Sequence, residues 1–303
     1  MIIICDKCKT KFQLDDSLIK KTLFKVRCSK CQHVFSVDTM PKEEIVDLNQ
    51  AVTTAPKKLI AVCNQKGGVA KTSTCLNLGA SLSLSGKRVL LVDFDAQSNL
   101  SMLLGKKNEA SFFEIYQKQA DISNVIKKVY PNLWLLPANS RIALLAKQAL
   151  QQQNGLGFFL RDTLESVKSH FDYILIDTPP SVKFFTPNAL MAADFVIIPT
   201  QSEFLAMNGV MQMENIIHAL GATHPLDYRV LVTLFDDRNI ASKVIYAKLR
   251  DKYKEKLFNT VISVDYKMQE SQIVNEPIVY YDENSVAAKQ YRELARQIQS
   301  ILL

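Results

Sequence analysis

Ile60-Ala-Val-Cys-Asn-Gln-Lys66-Gly67-Gly68-Val69-Ala70-Lys71-Thr72-Ser73 is the stretch on which the fold turns. It opens apolar and strand-like, passes through two glycines, and from Lys71 onward suits a helix. A strand feeding a helix through such a loop aims backbone N–H groups and a helix N-terminus at one point, which is a phosphate-binding geometry. Lys71 supplies charge for the β- and γ-phosphates of ATP, and the Thr72 hydroxyl is placed to ligate Mg2+. The ordinary pattern G-x-x-x-x-G-K-[ST] fails at Gln65 and Ala70, where it has glycine. Alanine is tolerable at position 70 provided its φ is negative.

Outward from this loop, short apolar runs recur at Leu59–Cys63, Val89–Asp93, Leu133–Leu136, Tyr173–Ile176, Phe195–Ile198, Val230–Leu234 and Thr260–Ile262. Each is apolar throughout, as expected of strands buried on both faces of a parallel sheet. Segments long enough for crossover helices lie between them, Thr72–Ser85 and Phe158–Ser169 among them. The alternation predicts a three-layer α/β domain over residues 57–303 with a mostly parallel sheet, and the phosphate loop at its head makes the expected fold that of a P-loop NTPase.

Two of the runs end in acids. In Arg88-Val-Leu-Leu-Val-Asp93-Phe-Asp95-Ala-Gln97, the alternation of a strand sends Asp93 and Asp95 to one side. That is the C-terminal end of the strand, where α/β sheets bind ligands. Tyr173-Ile-Leu-Ile-Asp177-Thr-Pro-Pro180 repeats the arrangement, and no Glu follows Asp177. Without that base, phosphoryl transfer rests on positioning and charge neutralisation, which predicts slow hydrolysis.

The first 38 residues have another texture. Cys5-x-x-Cys8 and Cys28-x-x-Cys31 supply four soft ligands from two chain segments, the spacing of a structural Zn2+ site. All four positions being filled argues against catalytic zinc; a redox dithiol pair or an Fe–S site is the competing reading. The strand-like pieces around the cysteines are too small to fold on apolar burial, so metal would supply most of the folding free energy. His33 reads as a surface residue in a turn. Residues 39–56 are polar with prolines near both ends and read as a linker.

The variant Lys66-Gly-Gly-x-x-Lys71-Thr72 resembles the deviant Walker A motif of the ParA/MinD family. The resemblance runs from about Lys57 onward and implies an ATPase that forms an ATP-dependent homodimer. Lys66 is then the lysine that reaches across to the partner's phosphates, and Lys66, Gly67, Gly68, Val69, Ala70, Lys71, Thr72 and Ser73 form the nucleotide loop. Asp93-Phe-Asp95-Ala-Gln97 is similar to the family's Asp-x-Asp-Pro-Gln, which implies that Asp95 orients the attacking water and Asp93 joins the Mg2+ shell. Asp177 resembles the Walker B acid, holding Mg2+ through water. Ile198-Pro-Thr-Gln-Ser-Glu-Phe-Leu-Ala-Met-Asn-Gly-Val210 looks like the loop after the family's next strand.

Within the family the likeness is nearest to Soj/ParA partition ATPases, which coat nucleoid DNA as ATP dimers. Arg238 matches one of their DNA-contacting positions. The equivalent of their Arg-x-x-Arg reads Val264-Asp-Tyr-Lys267, so one arginine is lost and the other is a lysine without the planar fork. The implied partners are non-specific DNA, an activating protein and a cargo, which is a chromosome or plasmid locus or a protein assembly. The alternatives are a zinc-ribbon regulator whose nucleotide-dependent dimer switches protein binding without DNA, and a MinD-like membrane-associated ATPase. The latter needs an extra basic amphipathic helix, whereas Val286, Tyr291, Leu294, Ile298 and Ile301 look like a face packed on the sheet. Cys63 and Cys75 read as small core residues rather than cluster ligands.

Composition is consistent with this. The 303 residues are 48% hydrophobic and 22% charged, enough for one large domain and an appendage, and exclude global disorder. Met1-Ile-Ile-Ile-Cys5 is cut short by Asp6 and Lys7, too soon for a signal h-region, and no apolar run spans a bilayer. The expected location is cytoplasmic and nucleoid-associated. The formal charge of +7 permits an acidic partner. Zinc ligation by four thiolates would bring it to about +5, so net charge is a weaker argument for DNA than Arg238 and Lys267 are.

Overall fold

The computed structural model describes residues 2–13, 23–38, 58–107, 109–151, 157–181, 183–203, 206–221 and 224–302. The stretch read as a linker, 39–56, lies outside the described residues. Two compact units divide the chain, Met1–Glu43 and Glu44–Leu303.

The small unit is a pair of two-stranded antiparallel hairpins, β1 (Ile2–Ile4) with β2 (Lys11–Gln13) and β3 (Leu23–Arg27) with β4 (Val34–Asp38). Each hairpin turns through a Cys-x-x-Cys knuckle closed by the same two backbone bonds. Lys9 N–H donates to Cys5 O at 3.0 Å and Cys5 N–H to Thr10 O at 3.0 Å; Gln32 N–H donates to Cys28 O at 2.9 Å and Cys28 N–H to His33 O at 2.8 Å. Lys9 and Gln32, at φ +57° and +60°, occupy equivalent left-handed corners. Among the described residues its buried apolar cluster consists of Ile3, Cys5, Cys28, Phe35 and Val37, too little to hold a domain unaided.

In the large unit, β5 (Lys58–Val62) leads through the glycine loop into α1 (Lys71–Leu84), then β6 (Val89–Asp93), α2 (Asn99–Leu103), α3 (Phe112–Tyr116), α4 (Ile122–Val125), β7 (Lys127–Tyr130) and β8 (Leu133–Leu136). Next come α5 (Ile142–Gln151), α6 (Phe159–Glu165), β9 (Tyr173–Asp177), α7 (Phe185–Ala192), β10 (Phe195–Gln201), α8 (Ala206–Gly221) and β11 (Asp227–Thr233). The last helices are α9 (Ile240–Tyr253), α10 (Tyr266–Ile273), α11 (Ile278–Tyr281) and α12 (Val286–Ile301).

The seven strands order as β11-β10-β5-β9-β6-β8-β7, all parallel except β7, which runs antiparallel to β8. The connection from β5 to β6 moves one way across the sheet and those from β9 to β10 and β10 to β11 the other. Right-handed crossovers therefore put α1 on one face and α7 and α8 on the opposite one. α1 packs against α12, β6 and β9. Gly79 makes this approach possible, because a Cβ there would meet Leu91 Cδ2 at 2.5 Å. β5, β6 and β9 are buried on both faces, which explains their unbroken apolar runs.

Two expectations need correction, and one strand was not expected. Thr260–Ile262 is not a strand: the segment runs beside β11 and touches it through Phe258 N–H to Val230 O (2.9 Å) and Ile262 N–H to Val232 O (2.8 Å). It covers the sheet edge without continuing the ladder. β7 opens on Lys127 and Lys128 and has no unbroken apolar run, so a search for buried strands passes over it. In α12, Tyr291, Leu294 and Ile298 are buried as expected, whereas Val286 (55%) and Ile301 (36%) are exposed.

Candidate nucleotide and metal sites

The ends of β5, β6, β9 and β11 open on a cleft of about 580 Å3 lined by Gly67, Gly68, Ala70, Lys71, Thr72, Ser73, Asp95, Gln97, Thr178, Leu234 and Gln272, among others. Its size is that of a small-molecule pocket. Neighbouring strands fasten the loop from both sides. Asn64 Nδ2 donates to Pro199 O at 2.7 Å while its Oδ1 accepts from Lys66 N–H at 3.0 Å. Thr233 Oγ1 donates toward Val69 O at 3.1 Å, and Thr178 Oγ1 to Val62 O at 2.9 Å.

This fastening has a conformational cost. Ala70 sits at φ +59°, ψ +33°, the left-handed region, and forms the N-cap of α1 without a side-chain cap bond. The negative φ expected for an alanine here is not found. The Val69 anchor and the start of α1 dictate the turn, so Ala70 carries strain of about 1–2 kcal/mol. Ala70→Gly should relieve it against about 0.5–1 kcal/mol of added chain entropy, raising Tm by about 1–3 °C in a thermal melt. An unchanged or lower Tm would show that the loop is not strained.

Lys71 is buried, and its Nζ donates to Lys66 O at 2.9 Å. Burial lowers its pKa, opposed by the charge of Asp177. Asp93, Asp95 and Asp177 are all buried, and Asp93 lies directly opposite Asp177 on adjoining strands. Burial pushes all three carboxyls up; Asp177 rises well above its usual range, with Asp93 adding to the effect, and Asp93 reaches about 6. Both Asp177 oxygens lack a hydrogen-bond partner, although the Thr72 hydroxyl is near enough to favour the charged form. Three acids around one lysine, with an orphaned carboxylate beside a threonine hydroxyl, is a donor set suited to a divalent cation bound by oxygen.

Asp93 is placed differently from Asp95. It does not line the cleft, and its carboxylate already accepts from Asp95 N–H (3.2 Å), Ser101 N–H (2.8 Å) and Ser101 Oγ (2.7 Å). Asp95 lines the cleft and accepts from Gln97 N–H at 2.9 Å. Ser101 escaped sequence reasoning because a lone serine eight residues beyond an acid carries no pattern. Leu234 and Gln272 escaped it too, since the fold alone brings them to the loop. Cys63 and Cys75 are fully buried, and burial pushes the Cys63 thiol up to about 12.

The four ribbon thiols converge. Their Sγ atoms all lie within 4.8 Å of one another, with Cys5–Cys31 at 3.7 Å and Cys8–Cys28 at 3.5 Å. Four sulfurs about 2.3 Å from a tetrahedral Zn2+ stand at about that mutual separation. The Thr10 hydroxyl and N–H lower the Cys8 thiol to about 6, while Cys31, against the pull of the His33 N–H, is pushed up to about 12 by burial and the neighbouring thiols, so the crowded quartet holds its negative charge unevenly among the four sulfurs. His33 Nε2 pairs with Asp6 at 3.0 Å and its ring stacks on Phe35.

The two residues expected to meet DNA are on the surface and each is paired within the chain. Arg238, 72% exposed, makes a two-pronged contact with Asp236 at 2.9 and 3.0 Å, and Lys267 meets Glu270 at 2.8 Å. On α9, Lys243, Lys248, Arg250 and Lys252 are exposed.

Residues 57–227 match the family described as AAA domain, and residues 1–36 the zinc-ribbon domain. The sporulation initiation inhibitor protein Soj of Bacillus subtilis is 37% identical over 248 residues, covering 80% of this chain and 98% of Soj. The chromosome partitioning protein ParA of Caulobacter vibrioides is 34% identical over 252 residues, covering 80% and 94%. The chain belongs to the ParA/Soj family of ATPases. Among solved structures, this ParA/Soj ATPase resembles cobyrinic acid a,c-diamide synthase from Mycobacterium smegmatis with bound ATP analogue and magnesium. The TM-score is 0.66 at 32% identity, over 80% of this chain and 95% of the synthase. The zinc-ribbon match at residues 1–36 lies outside the AAA-domain match, and among the described residues no helix is long and apolar enough to cross a membrane.

Proposed function

We propose that this ParA/Soj ATPase dimerises on ATP, holds non-specific DNA in that state and releases it after slow hydrolysis. It thereby segregates or positions a cargo, either a chromosome or plasmid locus or a large protein assembly. The observation that carries this is the cleft at the strand ends, lined by the glycine loop, Lys71, Thr72 and Asp95, with the Asp177 carboxylate buried beside Thr72. Lys71 and the N–H groups of residues 67–73 would bind the phosphates. Thr72 and Asp177 would hold Mg2+, with Asp93 contributing charge from behind and fixing the start of α2. When bound, Mg2+ supplies neutralisation of the charge that builds up on the transferred phosphoryl group. Asp95 would orient the attacking water, and Lys66 would reach the phosphates bound by the second copy. With no Glu beside Asp177, turnover stays slow until a partner protein stimulates it. The ribbon would bind one Zn2+ through Cys5, Cys8, Cys28 and Cys31 and serve as a separate recognition module.

Contact with DNA phosphates would draw Arg238 and Lys267 away from Asp236 and Glu270. That pairing is also what favours the second reading, a nucleotide switch for protein binding that never touches DNA. Arg238→Ala/Lys267→Ala discriminates between them. For a DNA-bound dimer the variant removes four phosphate contacts, so the slope of log K against log salt should fall by about 3 to 4 while ATP-dependent dimerisation persists. Identical DNA titrations for variant and wild type, measured by fluorescence anisotropy at several salt concentrations, would favour the protein switch.

A further inference from the structure

Lys66 is held by residues more than 130 positions away. Its Nζ donates to Glu203 Oε2 at 2.5 Å and toward Gln201 Oε1 at 3.4 Å. Gln201 also donates from Nε2 to Gly68 O at 2.8 Å, so one side chain grips the lysine and its loop together. β10 is the strand next to β5, and in register with β11 it extends to Gln201, which carries these groups past the end of β5 and over the loop. With Lys71 Nζ on Lys66 O, both ammonium groups of the loop are satisfied inside one subunit.

We propose that Glu203, helped by Gln201, is a positioning residue that docks Lys66 on its own subunit and sets how readily ATP assembles the dimer. This rests on the role proposed above for Lys66, which must leave Glu203 to meet phosphates on another copy. The magnitude suits a switch. Lys66 and Glu203 side chains are 31% and 59% exposed, and an exposed pair shifts an equilibrium by at most about fivefold. A bond this weak yields to a polyphosphate yet biases the free protein. Two pairs open per dimer, so removing them multiplies the effect.

The test uses the full chain with Mg2+ and a non-hydrolysable ATP analogue, and reads dimerisation by analytical ultracentrifugation. Glu203→Gln should tighten the dimer about three- to twentyfold, and Glu203→Asp, which keeps the charge, should return toward wild type. In steady-state assays with ATP, the protein concentration giving half-maximal turnover should fall by the same factor while the limiting rate per dimer stays constant. The thermal midpoint without nucleotide should not move, which separates positioning from a structural role. Unchanged or weaker dimerisation of Glu203→Gln overturns the proposal. Lys66→Ala is run alongside: if it dimerises like wild type, the role of Lys66 itself fails, whatever Glu203→Gln shows.

Discussion

Chelating the metal from the full-length protein should unfold the ribbon and leave the ATPase unit folded. Among its described residues the small unit buries five apolar side chains in its cluster, two of them the cysteines Cys5 and Cys28, while every ordered residue costs about 1–2 kcal/mol of backbone entropy. Apolar burial of that size cannot offset the ordering of two hairpins. Structural zinc contributes about 10–16 kcal/mol in comparable small modules, so its removal converts the unit from folded to unfolded rather than loosening it. Cys28→Ser should do the same without a chelator, because it deletes one of four ligands at the buried side of the cluster. Hydrogen exchange across residues 2–13 and 23–38 provides the measurement, with bound zinc counted in parallel. Full protection retained in zinc-free protein would mean that the hairpins hold themselves, and the metal reading of the four cysteines would fall. The ATPase unit, with its own sheet and core, should keep its exchange pattern throughout.

Replacing Lys71 by alanine should lower ATP turnover by about 10²–10³-fold, the usual loss for one preorganised charge at a phosphoryl or oxyanion site. Lys71 is buried and already aimed into the loop through its bond to Lys66 O, so its charge works in a low-dielectric setting where it is worth more than in water. Asp177→Asn should match that loss for a different reason. It removes a carboxylate buried beside the cleft whose two oxygens make no hydrogen bond, and with it the anchor proposed for Mg2+. Because burial already disfavours the charged form of Asp177, the substitution should leave the nucleotide-free fold at least as stable as wild type. Turnover and the thermal midpoint should therefore separate. An Asp177→Asn protein that hydrolyses ATP normally would show that the cation is held elsewhere, and one that unfolds would show that the carboxylate serves the core.

Much of this site is readable in the chain because its logic is local. The run from Ile60 to Ser73 declares strand, loop and helix within fourteen residues, and the acids at Asp93, Asp95 and Asp177 close apolar runs whose burial follows from their composition. The Cys-x-x-Cys pairs likewise carry their chemistry in their spacing. In each case the informative residues are neighbours, and covalent geometry already limits where they can point.

What only the tertiary structure decided involves residues that distant elements bring together. The sign of φ at Ala70 follows from Thr233 pulling on Val69 across 164 positions. The acceptance of three hydrogen bonds by Asp93, which turns it from the cleft toward α2, depends on where Ser101 lands. Glu203 meets Lys66, Asp236 occupies Arg238 and Glu270 occupies Lys267. Two of these three pairs span a turn or less, yet even they were not predictable from sequence, because exposed charges choose among many partners separated by about 1 kcal/mol or less. The sequence alone determined which groups this ATPase possesses and the strand ends on which they sit. Their state of engagement, held or available, is a small energy difference that only the assembled fold can settle.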